Sequence, residues 1–253
     1  MSQKFYKLSY HFYKCIPGER PEFLPDVQTI PQARKVEFAY PSVTTILSLF
    51  TDPFMARWRN EKLFNMDPDS CDFDEAMVSL YGYRKCLETG EQIPSSEFGT
   101  RAHARMEAWA NCEDIGDDPY DSIISEVIEK FKEMKAVPEV SEYIISSEAD
   151  QCAGTIDLIA TVDGKLELFD YKFRDCKGKV KTYDKDLEQL AIESQWVKDK
   201  FKLDYLPAIT TVCVDSTTGK CWFKKWSNKM QLRGISSFRS LRYMALHKLG
   251  III

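Results

Sequence analysis

Two short runs decide the fold: Ala153-Gly154-Thr155-Ile156-Asp157, continuing to Val162, and Leu166 to Phe173, which ends in Asp170-Tyr171-Lys172-Phe173. Both are apolar and rich in β-branched or aromatic residues, as strands are, and Asp163-Gly164 lies between them. An Asp-Gly pair tolerates the positive φ angles of a tight hairpin turn, so Thr155–Val162 and Leu166–Phe173 are expected to pair. Residues two apart on a strand share a face, which projects Asp170 and Lys172 together. The hairpin would bring Asp157 alongside Asp170. Two close carboxylates form a hard oxygen site suited to Mg²⁺ or Mn²⁺. A lysine held beside them can orient or deprotonate a water, or stabilise charge growing on a phosphate. The competing reading is a plain Asp–Lys ion pair at strand ends with an Asp in a tight turn.

Working outward, Glu142–Ser147 reads as a further strand, and Ala208–Val214 and Cys221–Trp226 as two more, joined by a turn at Thr218-Gly219. Helices are expected from about Phe98 to Ala110, passing through His103 and Glu107, from Asp121 to Lys135, ended by Pro138, and from Asp184 to Phe201. Residues 1–40 are punctuated by Pro17, Pro21, Pro25 and Pro31 and read as an extended arm packed on a body. Ser42 can cap a helix carrying Val43, Ile46, Leu47 and Phe50. Another helix is expected from Asp52-Pro53 with Phe54 and Trp58 on one face, and a third over 73–89. The fold class is thus α/β: a mixed central sheet flanked by helices over 96–253, with a helical N-terminal extension over 1–95, in one compact domain.

The chain has 253 residues, 44% hydrophobic and 29% charged, ordinary values for a globular protein. No apolar run reaches the length of a membrane span, and Met1–Tyr10 carries neither a secretory nor an obvious transit signal, so a cytoplasmic protein is expected. Eight cysteines are scattered without a C-x-x-C pair and read as reduced and structural. The net charge of −5 hides a segregation. Lys172, Arg174, Lys177, Lys179 and Lys181 cluster after the third strand, and from Ser216 onward there is no acid while Lys224, Lys225, Lys229 and five further lysines and arginines occur. Such stretches suit a groove that tracks phosphates beside a metal-binding pocket; two solvated basic faces are the bland alternative.

Gly-x-x-Asp followed by Asp-x-Lys across a hairpin resembles the PD-(D/E)XK nuclease superfamily. Gly99-Thr100-Arg101-Ala102-His103, with Glu107 one turn on, is similar to the G-x-x-x-H helix of its RecB-like branch, and Gln189-Leu190 to the Q-L motif of that branch. Pro41-Ser42-Val43-Thr44-Thr45-Ile46-Leu47, Trp58-Arg59 and Ser147-Glu148 resemble segments of the phage and mitochondrial-genome-maintenance type exonucleases. The likeness runs over about residues 41–200. It implies a restriction-endonuclease-like core and a metal-dependent deoxyribonuclease, an exonuclease acting on strand ends in replication, recombination or repair. His103, Asp157, Asp170 and the main-chain carbonyl of Tyr171 would hold one or two Mg²⁺ or Mn²⁺ ions. Lys172 would position the attacking water and Gln189 contact the nucleophile or a phosphate, with Glu142 and Glu107 as supporting or second-metal residues. Trp58, Phe54 and Phe98 could stack on bases, with core packing as the alternative for each. Phe173 and Ser194-Gln195-Trp196 depart from the family pattern, and Cys213 with Cys221 does not supply an iron–sulfur cluster. A structure-specific or restriction-like endonuclease and a catalytically inactive nucleic-acid-binding subunit are the alternatives.

Overall fold

The structure is a computed structural model that describes residues 10–50, 82–114 and 116–249. Phe54, Trp58 and the helix expected from Asp52 lie outside the described residues, as does the first half of the helix expected over 73–89.

The Pro-punctuated N-terminal segment is more ordered than an arm. It forms β1 (Phe12–Lys14), β2 (Glu22–Phe23), the short helix α1 (Ile30–Ala33) and β3 (Ala39–Pro41), with the strands in a small antiparallel sheet ordered β2-β1-β3. Strands this short leave no periodic signal to read; Phe12, Val27 and Ala33 hold them by burial. Helix α2 (Val43–Ser48) follows, capped as expected by the Ser42 hydroxyl, which accepts from the Thr45 N–H at 2.9 Å. Tyr83–Lys85, expected to be helical, is instead strand β4, paired with β5 (Gln92–Pro94).

The body begins with α3 (Ser95–Ala110) and α4 (Asp121–Glu133). Strands β6 (Val137–Ser147), β7 (Cys152–Val162) and β8 (Lys165–Arg174) come next, then α5 (Asp184–Phe201), β9 (Ala208–Asp215), β10 (Cys221–Lys225) and α6 (Asn228–Leu249). Strand β6 starts at Val137, five residues before the strand expected from Glu142, and includes Pro138; Pro is tolerated there because β6 is an edge strand. The five strands make one mixed sheet in the order β10-β9-β8-β7-β6, with β8 and β9 parallel across the α5 connection and the other neighbours antiparallel. Asp163 and Gly164 turn the β7–β8 hairpin at φ 50° and 75°, the positive pair a type I′ turn needs.

Two apolar layers enclose the sheet. Leu187, Leu190, Trp196 and Val197 of α5 pack with Ile235 and Phe238 of α6 and Ile46 of α2 on one face, over Ile156, Ile159, Leu168 and Ile209. On the other face Phe98 and Met106 of α3 and Ile124, Val127 and Phe131 of α4 cover Leu158, Phe169, Tyr171 and Val212. Each such large side chain contributes about 1.5–3 kcal/mol by leaving water. Phe98 is 1% exposed and part of this core, so it is not a base-stacking residue.

Besides a register shift between Pro138 and Val140 on β6, the sheet is irregular in two places that shape one end of it. The first is a fork. Strands β7 and β8 pair only from Val162↔Lys165 to Leu158↔Phe169. Beyond that point Cys152–Ile156 stays with β6, while Asp170–Arg174 stays with β9. The second is a reversal of face. Ile156 and Ile159 point into the same layer although three residues apart, and Val140 and Tyr143 of β6 do likewise. Period-two alternation forbids this unless both strands are perturbed between those residues. Asp157 occupies the perturbed place on β7, and Glu142, at φ 47°, occupies it on β6. The edge of β7 freed by the fork is met from the N-terminal segment: Ser42 bridges Ala153, and the Tyr13 and Thr155 hydroxyls lie 3.0 Å apart. No helix among the described residues is long and apolar enough to cross a membrane.

Candidate metal centre

The fork leaves the Tyr171 N–H without a strand partner on β7, and the Asp157 side chain replaces one: its Oδ2 accepts that N–H at 2.6 Å. From α3, His103 places Nδ1 3.7 Å from the same Oδ2 and 3.9 Å from Glu142 Oε1. His103, Glu142 and Asp157 each offer a ligand atom within 4.8 Å of the others, a hard carboxylate pair with one imidazole. Glu142 reaches this point from a left-handed backbone conformation, φ 47°, which costs a non-glycine residue on the order of 1 kcal/mol. The three residues line a cleft of about 520 Å³ together with Gly99, Thr100 and Glu107. Thus Glu107 shares the cleft, as its position one turn after His103 predicts.

Asp170 stands on the other limb of the fork. It is 2% exposed, and its Oδ1 accepts from Lys172 Nζ at 2.6 Å, so the two side chains do project together. Its Oδ2 is buried with no hydrogen-bond partner. Asp170 lies outside the close His103–Glu142–Asp157 group, and Glu142, expected only in a supporting place, lies inside it. Tyr171 contributes its amide to Asp157, while its ring is buried in the α3–α4 layer, edge-on to His103 with centroids 5.8 Å apart. Gln189 is half-buried on α5, one turn before Glu193.

Glu193 is the residue sequence reading missed. It is buried, Gln189 one turn back is the polar side chain that favours its charged form although neither carboxylate oxygen has a partner of full hydrogen-bond geometry, and it presses on β7 at Gly154. A Cβ at Gly154 would lie 2.5 Å from Glu193 Oε1, which explains the glycine of the Gly-x-x-Asp motif as room for a carboxylate. A signal was present: Leu190-Ala191-Ile192-Glu193 places an acid on the apolar face of a helix.

Burial raises the pKa of Asp170 to about 7, with Lys172 opposing the rise and Asp157 adding to it. Burial and the Asp170 and Asp157 carboxylates likewise push Glu193 well above the carboxylate range. Burial opposes charge on His103, but Asp157 and Glu142 outweigh it and raise its pKa. Burial also opposes charge on Lys172, yet Asp170 and Asp157 hold it above the usual lysine value, so it stays cationic. A group whose pKa is higher folded than unfolded gives stability at low pH that is lost as pH rises through the folded value. For Asp170 that window runs from 3.8 to about 7, and the shifts of Glu193 and His103 have the same sign. The metal-free protein is therefore expected to show a Tm that falls from about pH 4 to about pH 7, and Mn²⁺ to remove most of the fall because it binds the deprotonated donors. A Tm that is flat in metal-free buffer contradicts the buried-acid arrangement.

The basic residues divide. Arg174 is held by Asp186 at 2.8 and 2.7 Å and lies 4.6 Å over the Tyr183 ring. Lys225 pairs at 2.6 Å with Glu167, which is 3% exposed. Both were expected as phosphate contacts, and both pair with buried acids. Arg239 of the acid-free C-terminal stretch similarly meets Asp150, and the stretch folds as strand β10 followed by helix α6. Lys177, Lys179, Lys181, Lys224 and Lys229 are exposed. Lys181, Arg84 and Arg174 line a second cleft of about 460 Å³, and Ser96 borders both clefts, so an acidic end and a basic end adjoin at the start of α3. The seven cysteines among the described residues are free thiols, with Cys176 and Cys213 sulfurs 3.3 Å apart. The chain matches no protein-family model, and a search of curated proteins gives no match.

Proposed function

We propose that this chain is a divalent-metal-dependent deoxyribonuclease of the PD-(D/E)XK type, an exonuclease that hydrolyses phosphodiester bonds at strand ends. On this reading the five-stranded sheet and its helix layers are a restriction-endonuclease-like core, with residues 1–95 as its N-terminal extension. The observation that carries it is the fork in the sheet, where His103, Glu142 and Asp157 converge and Lys172 stands on the opposite limb beside Asp170.

The donor set fits the cation. Two carboxylates and an imidazole within 4.8 Å, with an unpartnered Asp170 oxygen nearby, are suited to Mn²⁺ or Mg²⁺. When bound, the ion supplies Lewis acidity toward a phosphate oxygen and a nucleophile at neutral pH. Asp157 fixes the centre to the backbone through Tyr171, so the site cannot shift without breaking the fork. Lys172 keeps a positive charge at the reacting end of the cleft, where it stabilises the negative charge that develops as a phosphodiester is attacked. The basic second cleft receives the phosphates that flank the scissile one, and exposed Lys177, Lys179, Lys224 and Lys229 add to the field that attracts DNA.

Incubation with Mg²⁺ and matched linear and covalently closed circular single-stranded DNA tests the reading. Degradation of the linear strand with the circle intact is expected. Rapid cutting of the circle would move the assignment to an endonuclease, and binding without cutting of either would make the chain a nucleic-acid-binding subunit.

A further inference from the structure

Tyr183, the residue that opens α5, takes no part in the metal centre but lines the basic second cleft, and it is 49% exposed. Its ring is nevertheless held in place. The Arg174 guanidinium lies over it, 4.6 Å from the centroid, and Arg174 is pinned to Asp186 at 2.8 and 2.7 Å. The Tyr183 N–H donates to the same Asp186 at 2.8 Å, so backbone and ring are anchored through one carboxylate. An aromatic side chain fixed in this way loses little freedom when a planar partner lies against it.

Strand β8 sets the distance from this ring to the reacting end. Phe169, Tyr171 and Phe173 face the α3–α4 layer, so Asp170, Lys172 and Arg174 share the opposite face. Two residues along a strand is roughly 7 Å, which places Arg174 about as far from Lys172 as neighbouring phosphates lie in an extended strand. Phe173 joins the two clefts: it lines the second, and its ring is edge-on to His103 with centroids 5.4 Å apart. The surroundings of Tyr183 are cationic, with Arg84 and Lys181 in the same cleft and Lys177 and Lys179 exposed on the adjoining loop. A cationic groove with an aromatic face is the combination that holds an unpaired nucleotide by phosphate and base together.

We infer that Tyr183 stacks on the nucleobase adjoining the scissile phosphate and makes the site favour a purine at that position. A purine presents a larger ring face than a pyrimidine, and differences in stacking strength are a source of modest base preferences in sites without hydrogen-bond readout. The inference rests on the proposed function and adds to it a residue that selects among substrates.

Single-stranded oligonucleotides carrying one 2-aminopurine at successive positions from the end, bound in metal-free buffer, test the stacking without cleavage. At one position the fluorescence is expected to be dimmer with wild type and Tyr183→Phe than with Tyr183→Ala. An abasic nucleotide at that position should weaken binding to wild type about fivefold or more, an arm that stands even if Tyr183→Ala fails to fold. With Mg²⁺, wild type and Tyr183→Phe should cleave a strand with adenine there several-fold faster than one with thymine, and Tyr183→Ala should cleave both alike. Equal fluorescence with wild type and Tyr183→Ala at every position, or an abasic strand bound as tightly as the intact one, overturns the inference and leaves the metal centre standing. Equal cleavage of the adenine and thymine strands by wild type overturns the purine selection. A wild-type protein that binds no DNA overturns both the inference and the proposed function.

Discussion

Asp157→Asn is expected to lower single-turnover DNA cleavage by about a thousandfold, the consequence of losing about 4 kcal/mol of charge stabilisation at the reacting phosphate. The fold should survive, because the amide oxygen of asparagine can still accept the Tyr171 N–H that Asp157 accepts now. What is lost is one of the two carboxylates facing His103 and with it the charge that makes the group a cation site. The variant should therefore melt near the wild-type temperature without metal and gain much less from added Mn²⁺. Cleavage within a few-fold of wild type in a folded Asp157→Asn protein would remove the site from consideration.

Lys172→Ala should reduce turnover by on the order of 10²–10⁴, the range for a positioned group that handles a proton or charge in the transition state. Two effects combine. The charge beside the reacting phosphate disappears, and Asp170 loses the cation that restrains its raised pKa of about 7. Asp170 then carries a proton at neutral pH, so its own charge no longer strains the fold. That exchange keeps the stability loss below the roughly 3–5 kcal/mol usual for breaking a buried pair. The pH profile of cleavage should move to higher pH, while DNA affinity and its salt dependence change by no more than about one phosphate contact. A variant that binds DNA poorly but turns over normally would make Lys172 a binding residue and contradict this role.

The parts of the molecule governed by local pattern were legible in the sequence. The Asp163-Gly164 turn, the α5 boundaries at Asp184 and Phe201, the Ser42 cap and the shared face of Asp170 and Lys172 each follow from neighbours a few residues apart. The fork was not legible, because it depends on β7 and β8 choosing different partners beyond Leu158 and Phe169. Its trace in sequence is faint: Ile156 and Ile159 must be recognised as facing one layer, against the alternation that identifies a strand. Without the fork, nothing in the sequence places Glu142 beside Asp157 and His103, and it read only as a supporting residue.

Charge pairing was hidden for a different reason. Lys225 and Arg239 stand in a segment without acids, but Glu167 and Asp150 reach them from strands and turns far away in the chain. Helix α6 was overlooked for a related reason. Gln231, Ile235, Phe238 and Ala245 form a buried stripe at helical spacing, but the lysines and arginines between them dominated the reading.

The central claim, that this fork is a metal-dependent phosphodiester-hydrolysing centre, is tested most directly by one measurement: cleavage of end-labelled linear DNA by the wild-type protein with Mg²⁺, with Mn²⁺ and with excess chelator. Products are expected with either ion and none with chelator. Undiminished cleavage in chelator, or intact DNA under all three conditions, would contradict it.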